Sequence, residues 1–155
     1  MKILLTGNLG YIGSVLTPLL QKQGHEVVGF DCGYFKECLL SPVNEDFKQI
    51  IKDIRDIAVT DLEGIDAVIH LAGLSNDPLG ELMPGLTEEI NYGGAMKLAR
   101  FSKEAGVSRF IYASSQSMYG VSDTDTELDE DLSSKNPVTS YAKTKWDAKQ
   151  QLKEL

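Results

Sequence analysis

The chain has 155 residues, 42% of them hydrophobic and 25% charged, and a formal net charge of −8. That length sets one domain as the prior and can bury ~70% of the surface the unfolded chain exposes, so a real core is available. The negative balance argues against sequence-independent nucleic-acid binding, which needs clustered Lys and Arg to displace counterions. No apolar run approaches the ~20 residues that span a bilayer, and Met1-Lys2 leads into Ile3-Leu4-Leu5 without a signal-peptide cleavage site. Cys32 and Cys38 are too few for a disulfide framework, and no Cys or His pairs complete a metal site. They read as structural or incidental thiols in a reducing cytoplasm.

In chain order, Lys2 to Thr6 is a short apolar run ending at glycine, which predicts a fully buried strand. Ile12, Val15, Leu16, Leu19 and Leu20 then recur at helical spacing until Gly24, with a mild kink expected at Pro18. Glu26 to Asp31 predicts the second strand, and Cys32 to Asp46, punctuated by glycine and proline, a loop. A third strand is expected near Phe47 to Ile51, a fourth at Val68 to Ala72, and a loop from Ser75 to Pro84. Ile90, Gly94, Leu98, Phe101 and Ala105 repeat every three or four positions, so a helix is expected from Leu86 to about Ala105. Arg109 to Ala113 predicts a fifth strand, Asp123 to Asp131 an acidic loop, and Val138 onward a helix. Strands alternating with helices imply βαβ units, hence a parallel sheet covered on both faces.

Gly7, Gly10 and Gly13 lie between the first strand and the first helix. Glycine there allows a tight turn, lets the backbone approach a pyrophosphate and frees a helix N-terminus to face anionic charge. The first gap is one residue longer than in G-x-G-x-x-G, and an ordinary glycine-rich turn is the competing reading. Asp31 ends the second strand, where a carboxylate accepts hydrogen bonds from an adenosine ribose and repels a 2′-phosphate, so NAD is preferred over NADP. Asp53-Ile54 either borders the adenine or forms a solvated turn. His70, inside an apolar run, reads as a satisfied buried histidine.

Tyr141 and Lys145 lie four apart on the last helix and share one face. A tyrosine with its unperturbed pKa of ~10 is a poor acid-base at neutral pH unless a cation stabilises the phenolate, which Lys145 can supply. Ser115 follows the fifth strand, where parallel sheets bind ligands, and can hydrogen-bond the substrate oxygen that Tyr141 protonates. Tyr-x-x-x-Lys alone is common on helices, and a polar strand exit would also explain the serines.

On these motifs the chain resembles the amino-terminal part of an extended short-chain dehydrogenase/reductase, in the NAD-dependent epimerase/dehydratase family acting on nucleotide sugars. Thr6-Gly-Asn-Leu-Gly-Tyr-Ile-Gly13 resembles its cofactor loop, which brings in Asn8, Leu9, Tyr11 and Ile12 beside the glycines. Asp53-Ile-Arg-Asp56 is similar to its adenine-side motif, and His70-Leu71-Ala72-Gly73 to its fourth-strand signature. Asn91 matches the helix asparagine, Ser114 to Gly120 the serine segment, and Tyr141-Ala-Lys-Thr-Lys145 the catalytic pair. The resemblance implies a Rossmann-type doubly wound sheet in the order 3-2-1-4-5, with residues 1–155 forming a single NAD-binding domain. It further implies that the family's carboxy-terminal substrate domain is absent, making the chain truncated relative to the family fold.

Dehydratases of this family carry Asp-Glu directly after the serine or threonine. Gln116-Ser117 stands there instead, which disfavours dehydration and prefers an epimerase or related oxidoreductase. The alternative is a truncated NAD(H)-binding module with no turnover of its own. The family's sixth strand pairs beside the fifth, so Arg109 to Ala113 is expected as an exposed edge that invites another chain. The helices at Leu86 to Ala105 and Val138 to Leu155 match the pair that dimerises in the family. A cytoplasmic homo-oligomer, at least a dimer, that binds NAD(H) and a nucleotide sugar is therefore expected, with no metal, nucleic-acid or membrane partner. Trp146 belongs either to that interface or to intrachain packing.

Overall fold

The computed structural model describes residues 1–39, 47–121 and 125–155. Five parallel strands form one sheet in the order β3-β2-β1-β4-β5. They are β1 (Lys2–Thr6), β2 (Glu26–Asp31), β3 (Gln49–Ile51), β4 (Ala67–His70) and β5 (Arg109–Tyr112). The central runs β1, β2 and β4 are apolar because both of their faces are covered. Register aligns Ile50, Phe30, Thr6, His70 and Tyr112 in one row across the carboxyl ends of the strands.

On one face, helix α1 (Tyr11–Lys22) lays Leu16 and Leu20 over Ile3, Leu5, Val27, Ala67 and Ile69. Pro18 does not interrupt this helix. The opposite face packs Leu4, Val28, Phe30 and Val68 against Leu98, Ile54, Ile57 and Leu62. Among the described residues β5 pairs with β4 alone, and Ile111 is 53% exposed.

Two helical expectations are corrected. The Ser75–Pro84 stretch carries helix α2 (Asp77–Leu82), capped by Asn76 Oδ1 accepting the Leu79 N–H at 2.8 Å. Pro78 sits in its first turn, where a missing N–H costs nothing. The helix expected from Leu86 starts earlier, as α3 (Pro84–Thr87), passes through a π-helical turn (Glu88–Gly93) and continues as α4 (Gly94–Glu104). A π turn widens the helix by one residue, a feature that apolar spacing does not reveal and that often marks functional sites. Helix α5 (Ser140–Glu154) starts at Thr139, whose Oγ1 accepts the Ala142 N–H at 3.2 Å.

The fourth strand is shifted and the fifth shortened, so Leu71, Ala72 and Ala113 form loops beyond the sheet. Residues 40–46 of the expected Cys32–Asp46 loop and residues 123 and 124 of the acidic loop lie outside the described residues.

Candidate active site

The β1-to-α1 turn cannot carry side chains at two of its glycines. Gly7 has φ +73°, and a Cβ there would lie 2.7 Å from the Ala72 backbone nitrogen. At Gly13 a Cβ would run into the Gly7 carbonyl and the Asn8 backbone. Backbone thus closes on backbone, and α1 starts from Gly10 with no side-chain cap and no acidic residue in its first turn. Its first N–H groups and its positive dipole end are left to an external anion. Tyr11 and Ile12 stand exposed beside that end.

The residues around Asp31 are tied together from the ends of three strands. Asp31 Oδ1 accepts the Gly33 N–H at 2.8 Å and Oδ2 the Leu9 N–H at 3.2 Å, so the acid is tied to the glycine loop. Asn8 is buried and forms a two-way amide pair with Gln49 of β3, at 2.6 and 3.1 Å. Gly29 on β2 makes room, since a Cβ there would collide with both amides. Sequence reasoning missed Gln49 and Gly29, and no local signal marks either one. Asp53 caps the Ile54–Asp56 turn and pairs with Arg55 at 2.8 Å, which holds its carboxyl below the ordinary carboxylate value. Ile54 is buried under Gly94, so its side chain serves the core.

The β4 exit is fastened to β1 and to the π turn. The Thr6 hydroxyl accepts the Ala72 N–H at 3.3 Å and shares a 2.7 Å hydrogen bond with His70 Nδ1. Among the described residues His70 Nε2 is buried without a partner, so the expected satisfied histidine is only half satisfied there. Burial, reinforced by the Lys145 charge, pulls its pKa down to about 3 and keeps the ring neutral. The Leu71 N–H continues the ladder to the Thr6 carbonyl at 3.1 Å. Asn91, on the π turn, accepts the Leu74 N–H at 2.8 Å and donates to the Leu74 carbonyl at 3.0 Å. Its amide side chain is thereby committed to shaping the loop after Gly73.

Ser115 caps the Gln116–Tyr119 turn just beyond β5, with its Oγ accepting the Ser117 N–H at 3.2 Å. Lys145 is 6% exposed; its Nζ donates to the Ala113 carbonyl at 2.8 Å and lies 5.9 Å from the Tyr141 ring centre. Burial pulls the Lys145 ammonium down to about 8. Lys145 thus bonds the Ala113 carbonyl, two residues before Ser115, and faces the Tyr141 ring.

A family model described as "NAD dependent epimerase/dehydratase family" matches residues 3–155. The chain belongs to that family. Its cofactor is NAD, and the glycine cradle with its uncapped helix end fits a dinucleotide. Among similar proteins, a UDP-glucose 4-epimerase of Klebsiella pneumoniae is 38% identical over 131 residues, covering 77% of this chain and 93% of that sequence. A dTDP-D-glucose 4,6-dehydratase of Mus musculus is 33% identical, covering 93% of this chain and 43% of that sequence. The solved UDP-glucose-4-epimerase from Stenotrophomonas maltophila, with bound NAD and formylated UDP-arabinopyranose, superposes with a TM-score of 0.84. It is 28% identical and is matched over 99% of this chain and 48% of its own. This family member thus spans about half the length of the mouse and Stenotrophomonas proteins. No helix among its described residues is long and apolar enough to cross a membrane.

Proposed function

We propose that residues 1–155 are the NAD-binding domain of a cytoplasmic nucleotide-sugar epimerase or related oxidoreductase using Ser115, Tyr141 and Lys145. The observation that carries this reading is the buried Lys145 ammonium, 5.9 Å from the Tyr141 ring and bonded to the strand end leading to Ser115. A cation held beside a phenol favours the phenolate, the form that takes a proton from a sugar hydroxyl. Ser115 hydrogen-bonds the same oxygen. The glycine turn from Gly7 to Gly13 cradles the pyrophosphate, which the free N–H groups at the start of α1 face, and Asp31 holds the adenosine ribose. Asp53, Ile54, Leu71, Ala72, Gly73 and Asn91 shape the remaining wall. Bound NAD supplies the acceptor and donor of two electrons at its nicotinamide.

Dehydration is disfavoured because Gln116 and Ser117 supply no carboxylate after Ser115. Turnover on a panel of UDP- and dTDP-sugars tests the assignment. Tyr141→Phe should abolish any turnover with NAD affinity nearly intact, and Lys145→Ala should damage both. Activity surviving Tyr141→Phe would defeat it. The second reading is an NAD(H)-binding module without turnover. It predicts cofactor binding with no reaction on any sugar.

The chain is further proposed to form at least a dimer. Support comes from the exposed Ile111 on β5 and from a groove of about 540 Å³ between the π turn and α5, lined by Glu88, Tyr92, Thr144 and Asp147. Trp146 already has an intrachain neighbour, with Lys135 Nζ 5.9 Å from its ring centre. Sedimentation at micromolar concentration decides the state, and a clean monomer refutes the dimer.

A further inference from the structure

We propose that Tyr112 is a positioning residue of this site: its ring face carries the buried Lys145 ammonium and keeps it cationic and aimed toward Tyr141. The role it would serve rests on the Ser115–Tyr141–Lys145 reading above. Lys145 has three N–H donors and almost no solvent, yet only the Ala113 carbonyl accepts one of them among the described residues. No carboxylate among those residues is ion-paired with it. A buried ammonium without a counter-ion is costly and would shed its proton. What faces it instead is the Tyr112 ring, with its centre 4.7 Å from Nζ, nearer than Tyr141. The negative face of an aromatic ring attracts a cation, and the attraction grows when both are desolvated.

The ring is held in place to do this. Tyr112 pairs in register with His70, and their rings pack 5.8 Å apart at a tilt of 31°. The Tyr112 hydroxyl is buried and makes no hydrogen bond among the described residues, so the ring is the part that the site uses.

The titratable groups facing Lys145 are Tyr112 from β5, His70 from β4 and Tyr141 from its own helix. On the helices packed against α5, Glu81 accepts the Ser140 N–H and Glu89 pairs with Arg55. Glu88 lines the outer groove, and Asp77, Glu104 and Asp147 are exposed. With Lys145 at about 8, an amine is about nine-tenths charged at pH 7, whereas one titrating a unit lower is half charged. Any attraction from the Tyr112 ring face, 4.7 Å from Nζ, raises the charged share of Lys145 at neutral pH.

The test is isosteric. Lysine-13Cε-labelled protein is titrated by NMR, with the Lys145 resonance identified by its loss in Lys145→Arg. Tyr112 is replaced by phenylalanine and then by phenylalanines of increasing ring fluorination, which keep the shape and drain the negative face. Tyr112→Phe should titrate like the native protein, near pH 8. The fluorinated series should fall stepwise by about 0.5 to 1.5 pH units. A flat series overturns the proposal, as does a full drop in Tyr112→Phe alone, which would assign the effect to the hydroxyl. NAD titration of the same samples separates the two claims. No NAD binding by the native protein, with the stepwise fall intact in the series, defeats the proposed function and leaves the ring's role standing.

Discussion

Replacing Gly7 by alanine separates two physical costs that the glycine loop combines. Gly7 has φ +73°, a left-handed conformation that costs an alanine about 1–2 kcal/mol. Its new Cβ would also lie 2.7 Å from Ala72 N, 2.9 Å from Ala72 Cα and 2.9 Å from Leu71 C. All three are backbone atoms of the β4 exit and cannot swing aside as a flexible side chain would. Overpacking of this kind costs about a further 1–3 kcal/mol. Gly24 is the internal control, because it has φ +81° and nothing within 4 Å of an added Cβ. Gly24→Ala should therefore lose only the conformational term. Gly7→Ala should lose about 2–5 kcal/mol in total, and its melting temperature should fall by about 2–4 °C per kcal/mol. Urea unfolding of both variants measures the difference. NAD titration should show Gly24→Ala binding normally and Gly7→Ala binding weakly, since relieving the clash separates the loops after β1 and β4. Equal destabilisation of the two variants would refute the close-approach argument, and normal NAD affinity in Gly7→Ala would refute its link to the site.

Asp31→Ala should narrow the preference for NAD over NADP by about tenfold or more, the scale of one charge-assisted hydrogen bond, as read by parallel calorimetric titrations. Unchanged preference would show that Asp31 serves only its bonds to Leu9 and Gly33. Acid stability should depend on His70, which is neutral in the fold down to about pH 3 but takes up a proton near 6.5 when unfolded. Its folded pKa is depressed, so this contribution is complete above pH 6.5 and is lost as pH falls from 6.5 toward 3, by up to about 3–5 kcal/mol. His70→Gln should flatten that part of the unfolding profile measured by urea titration at stepped pH, and an unchanged slope would place the proton uptake elsewhere.

The strands and the glycine turn after β1 were legible because their causes are local. An apolar run bounded by glycine is a strand wherever it can be covered on both faces, and Lys2–Thr6 and Glu26–Asp31 have the expected bounds. Gly7 and Gly13 stand where the chain must turn and close on itself, and no other side chain would fit. The Tyr141–Lys145 pair was likewise visible, since residues four apart on a helix share a face whatever surrounds them. Strand order, by contrast, came from resemblance rather than spacing. The π turn escaped because it changes helical width without erasing the apolar repeat, and α2 because a helix of 6 residues is too short for a repeat to show. The finer machinery of the site could not be read along the chain at all. Asn8 meets Gln49 across 41 positions and Thr6 meets His70 across 64, because parallel strands align residues that their connections hold far apart in sequence. The sequence pairs Lys145 with Tyr141 but does not show its burial; the fold sets it over Tyr112 with no ion-paired carboxylate among the described residues, and that burial gives it its depressed pKa.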